Sequence, residues 1–116
     1  MAQPSAKPSA KPSRVVIVFR AKLRDGLEDP RIEQVGTRMY ELATQMPGFV
    51  SYAEYGSPDG EGVTLVEFES HETLAAWREH PEHKAAQELG KREWFSHYRI
   101  SVCDLVRESS FSTDAE

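Results

Sequence analysis

The run Val15-Val16-Ile17-Val18-Phe19 is unbroken by any polar residue, and its β-branched side chains fall on both faces of an extended chain. Such a segment reads as a strand buried on both sides, so it belongs in the middle of a sheet with a neighbour on each edge. The chain has 116 residues, enough for one domain and one core. A domain of this size buries only roughly two-thirds of the surface that its unfolded form exposes, so a partner subunit would add usefully to its stability.

The neighbouring elements follow from turn and cap chemistry. Arg24-Asp25-Gly26 supplies a turn, and Asp29-Pro30 supplies an N-cap followed by proline at the first helical position, where its missing N–H costs nothing. Ile32, Val35, Met39, Leu42 and Met46 then alternate three and four apart, which lays one apolar stripe along a helix that Pro47-Gly48 stops. Phe49 to Tyr55 reads as a second strand, Ser57 to Gly62 as a hairpin loop, and Val63 to Glu69 as a third strand. Ser70 caps a helix with Glu72 at its positive end and Leu74 and Trp77 on one side; His80-Pro81 breaks it. A further helix is expected from Pro81 to about Arg92, and a last strand from Tyr98 to Val106.

The order β-α-β-β-α-α-β, with right-handed crossovers on one side of the sheet, is an α+β fold of the split β-α-β, ferredoxin-like kind with an antiparallel sheet. One sheet face is left uncovered. With Val16, Val18, Val50, Tyr52 and Leu105 assigned to it, that face is expected to meet a second copy in a homodimer with sheets packed face to face.

The domain is expected to span residues 14–107. Residues 1–13 repeat Pro-Ser-Ala-Lys, with Pro4, Pro8 and Pro12 favouring extended, solvated conformations, and read as a flexible tail. Residues 108–116 form a Ser-rich, acidic C-terminal tail in which Phe111 is the one residue suited to docking on the domain or on a partner. With 19 acidic and 14 basic side chains mixed along the chain, nothing attracts a phosphate backbone, and nucleic acid is not an expected partner. No apolar run approaches the roughly 20 residues that span a bilayer, and no signal-peptide stretch opens the chain, so a cytoplasmic protein without membrane contact is expected. The single Cys103 cannot form an internal disulfide and, in a strand, is expected to be a small, half-buried packing residue.

The segment from Trp77 to Gln87, followed by Gly90, Trp94-Phe95, Tyr98-Arg99-Ile100 and Val102, resembles the second half of the antibiotic biosynthesis monooxygenase superfamily. Pro47-Gly48-Phe49 and the strand Leu65 to Glu69 with Ser70 resemble its first half, so the likeness covers nearly all of residues 14–107. The resemblance implies a dimeric α+β barrel with a pocket between sheet and helices. It also implies a choice among oxygenation of electron-rich polycyclic phenols, quinol oxidation and haem degradation, besides members with no established activity. Trp77 matches the helix tryptophan that lines the pocket. The haem-degrading branch needs an Asn where this chain has Phe19 and an axial His where it has Gln87, so haem binding or degradation is disfavoured unless His83 has taken over the ligand role. In the phenol-oxygenating branch an ionisable group follows the Trp by about six residues, where this chain has His83, while Thr73 stands where that branch carries an amide.

The resulting expectation is a monooxygenase that oxidises an aromatic phenol or quinol-like molecule with O₂ and uses no metal or flavin. His83 would be the base and Trp77 would shape the pocket, with Phe19, Gln87 and Tyr98 as substrate-binding residues. The alternative is a non-enzymatic dimeric small-ligand-binding or stress-associated protein on the same scaffold.

Plain structural readings stand beside these. Trp77 suits core packing as well as a pocket wall, and His83 in the first turn of a helix is by default solvent-facing. His80 reads as a helix end, and His71 and His97 lie at element boundaries. His80 and His83 lack the i, i+4 geometry of a helical zinc pair and have no evident third ligand. Glu67 suits either a pocket acid or a dimer-face residue, and Tyr40, Tyr52 and Tyr98 suit an interface or a pocket wall.

Overall fold

The computed structural model describes residues 14–113. The elements in chain order are β1 (Val15–Leu23), α1 (Arg31–Thr44), β2 (Phe49–Gly56), β3 (Gly62–Phe68), α2 (His71–Arg78), α3 (Pro81–Leu89), a π-helical turn (Gly90–Trp94) and β4 (Phe95–Asp104). The four strands form one antiparallel sheet in the order β2-β3-β1-β4. This is the α+β, ferredoxin-like arrangement, and β1 is central in it. The tail assigned to residues 1–13 lies outside the described residues.

Alternation along β1 separates two environments. Val15 and Ile17 face the helices and are buried in a cluster with Ala43, Val66, Phe68, Leu74 and Trp77, while Val16 and Val18 point the other way and are only half-buried. The apolar run therefore has helices over one face and, among the described residues, no helix or strand over the other. By register that open face carries Val63, Leu65, Ala53, Tyr55 and Cys103 beside Val16 and Val18. Glu67 is there too, paired with the Arg14 guanidinium at 3.0 Å, which makes it an open-face residue and not a pocket acid.

Cap chemistry places the helices. The Asp29 carboxylate accepts from the Arg31 N–H at 3.0 Å and its carbonyl accepts from Ile32 N–H, so Asp29 does the capping although regular helix starts at Arg31. Ser70 and Thr73 form a reciprocal capping box at the start of α2. His80 belongs to the helix after it: its Nδ1 accepts from Glu82 N–H at 3.1 Å and caps α3.

Several expectations change in the structure. Tyr52 faces the helices, because a bulge between Phe49 and Ser51 inserts Val50 and shifts the alternation by one residue. The last helix stops at Leu89 and β4 begins at Phe95, because Gly90–Trp94 winds as a π turn whose carbonyls at Lys91 and Arg92 accept from the Arg24 guanidinium. Cys103 is exposed on the open face instead of half-buried. Phe111 is 88% exposed and has no dock on its own domain.

Candidate functional site

Between the helix side of the sheet and α1 and α3 lies a cavity of about 820 Å³, within the range of small-molecule sites. Its sheet wall includes Ile17, Phe19, Tyr52 and Val66, and α1 contributes the same stripe that the sequence shows, Ile32, Val35 and Met39. The other members of that stripe, Leu42 and Met46, pack on the core.

Trp77 comes from α2, three residues after Leu74, and is 5% exposed. It serves both as a core aromatic and as cavity wall. Because α3 starts at Pro81, His83 occupies its first turn, where a helical side chain leans back toward the N-terminus. That direction carries the imidazole onto Trp77, with ring centres 4.0 Å apart and planes 21° from parallel. His83 lines the cavity and does not face open solvent as a first-turn residue would by default. Its Nδ1 is sealed off and has no hydrogen-bond partner among the described residues. Burial holds the imidazole below its ordinary range; the carbonyls of Trp77 and Arg78 oppose that shift, and the nearby His80 adds to it. A neutral ring at pH 7 is able to accept a proton.

Gln87, one turn further along α3, also lines the cavity, as does Phe19. Tyr98 does not. Its ring packs on Phe19 at 5.6 Å and on Phe95 at 5.9 Å, and it borders a separate, shallower recess with Arg24 and His97. Tyr98 thus supports Phe19 from the side.

Tyr52, expected on the open face but also suited to a pocket wall, lines the cavity, and so does Trp94, which had no role assigned from sequence. The Tyr52 phenol is pushed up to about 12, by burial first and then by the neighbouring Glu54, so it remains a hydrogen-bond donor at any ordinary pH. Its ring meets Tyr40 edge to face at 5.2 Å. Trp94 is fixed by its Nε1, which donates to Asp29 at 3.0 Å, while the Arg31 guanidinium lies 5.8 Å over its ring. The Arg31 side chain, the Arg31 N–H and Trp94 together hold the Asp29 carboxyl well below the usual carboxylate range. Among the described residues, no group of three or more His, Cys, Asp or Glu side chains is placed to hold a metal ion.

The arrangement is an apolar, aromatic-walled chamber with the His83 imidazole and the Gln87 amide on its α3 wall and the Tyr52 phenol on its sheet wall. Comparison with known proteins agrees with the fold. The family model described as antibiotic biosynthesis monooxygenase matches residues 14–89. An uncharacterized protein of Bacillus subtilis, YqjZ, is 33% identical over 78 residues, 67% of this chain and 68% of that protein. The cofactor-independent oxygenase SnoaB of Streptomyces nogalater superposes with a TM-score of 0.68 at 16% identity, covering 84% of this chain and 96% of that one. A dimeric ferredoxin-like protein of unknown function from Thermobifida fusca gives 0.67 at 16% identity, over 81% and 92% of the two chains.

Proposed function

The chain belongs to the antibiotic biosynthesis monooxygenase family, and from that premise we propose that it oxidises an aromatic phenol or quinol-like molecule with O₂, without metal or flavin. The observation that carries this reading is the His83 imidazole, kept neutral by burial, on the wall of an aromatic cavity. His83 accepts the phenol proton, and the resulting anion is electron-rich enough to pass an electron to O₂ directly. Radical recombination forms a carbon–oxygen bond. Cleavage of the O–O bond then leaves one oxygen on the ring as a carbonyl, and the other departs as water with the two hydrogens lost from the phenol O–H and the ring C–H. Trp77 and Phe19 hold the ring plane, and Gln87 and Tyr52 are the hydrogen-bonding groups for its oxygens.

The functional unit in this proposal is a homodimer. The open sheet face presents Val16, Val18 and Leu65, with Tyr55 at 61% exposure, on the side of the sheet away from the cavity. A second copy covers that surface without obstructing the site.

The deciding experiment is O₂ uptake by the full chain with anthrone and 1-naphthol as substrates. Uptake above the uncatalysed rate supports the oxygenase. Tight binding without uptake supports the second reading, a non-enzymatic ligand-binding protein in which His83, its Nδ1 sealed off without a partner among the described residues, only packs on Trp77.

A further inference from the structure

Gly36 lies in the interior of α1, on the stripe shared by Ile32, Val35, Met39 and Tyr40, and borders the cavity. Glycine weakens a helix there, because it gives up more backbone freedom on folding than alanine does. The backbone does not require it, since Gly36 is helical and is not one of the positive-φ glycines of the described residues. Packing does not require it either: a Cβ at Gly36 would meet nothing within 4 Å. At Gly90, by contrast, a Cβ would come within 2.5 Å of the Phe95 ring. The space beside Gly36 is the cavity itself.

We infer that Gly36 sets the width of the cavity, its missing side chain opening a slot beside the Tyr40–Tyr52 ring pair that admits a flat ligand of three fused rings. Tyr40 follows Gly36 by four residues on the same helix face, so the slot is bounded by an aromatic ring one turn away. The cavity of about 820 Å³ is near the upper end of ordinary small-molecule sites, more room than a single ring fills. The phenolic character of the ligand rests on the proposed oxidation; the role of Gly36 does not, because binding alone reads it.

The test is isothermal titration of the full chain and of Gly36→Ala and Gly36→Leu with 1,8-dihydroxyanthraquinone (three rings) and 1-naphthol (two rings). Gly36→Ala should unfold at a higher temperature than the wild type and bind the anthraquinone a few-fold more weakly. Gly36→Leu should weaken the anthraquinone by about tenfold or more while leaving 1-naphthol within about threefold. The inference is overturned if the wild type does not bind the anthraquinone, if both ligands weaken alike, or if folded Gly36→Leu leaves both affinities unchanged. Should Gly36→Leu fail to fold, Gly36→Ala decides: a lowered unfolding temperature or an unchanged anthraquinone affinity overturns the inference. Width-selective binding without O₂ uptake removes the oxygenase reading and leaves the role of Gly36 intact.

Discussion

The His83 imidazole stacks on the Trp77 indole at 4.0 Å and 21°, a contact between the first turn of α3 and the last turn of α2 that brings a titratable ring to the cavity wall. The stack excludes water from one side of the imidazole, which is why its charged form is disfavoured.

If His83 is the base, it must be neutral to act. Its pKa lies below 6.5, so O₂ uptake should be level near pH 7 and fall as the pH drops through the region below 6.5. His83→Ala should lower the rate about 100-fold or more, with an unchanged circular dichroism spectrum. A folded variant that keeps both the rate and the acidic limb of the profile excludes His83 from the mechanism.

Asp29 ties the start of α1 to Trp94 and to Arg31. Its folded pKa is depressed, so it contributes stability that is present above the ordinary carboxylate value and is lost as the pH falls through and below it. Asp29→Ala should lower the midpoint of thermal unfolding by about 5 °C at pH 7, shift Trp94 emission to the red, and flatten the acid side of the stability profile. An unshifted emission spectrum would show that Trp94 does not depend on this carboxylate.

Gly48 has φ of +81°, and a Cβ there would come within 2.5 Å of Thr73, a member of the α2 capping box. Gly48→Ala should therefore destabilise the fold by about 2–4 kcal/mol, measured by urea unfolding with an unchanged m-value. A loss under about 0.5 kcal/mol would mean that the α1–β2 turn relaxes freely.

For the proposed dimer, Leu65→Asp places a charge in the middle of the open face and should give a monomer in sedimentation velocity. Cys103 lies on the same face and gives a second readout. Its thiol should react slowly with a disulfide reagent in the wild type and rapidly in Leu65→Asp. Equal reactivity in both, with a monomeric wild type, would rule out pairing through this face.

The helix–strand order, the cap at Asp29, the capping Ser70 and the α1 stripe were legible because each depends on residues within one or two turns of one another. Trp77 was legible as a core-facing residue for the same reason, three residues from Leu74 on one helix face, while its reading as a wall residue came with the family resemblance. The side of the sheet that Tyr52 faces was not, since the bulge at Val50 turns it from the open face to the cavity and is defined only by pairing with β3. Nor was the displacement of Tyr98 behind Phe19, which follows from where β4 enters the sheet after the π turn. The amino-acid sequence by itself determined most of the helix and strand segments, because local sterics and periodicity settle those, while the candidate site residues came with the family resemblance. Only the tertiary structure decided that His83 meets Trp77 and that Gly36 faces empty space, because a stacking distance and a void depend on how α1, α2 and α3 lie over the sheet.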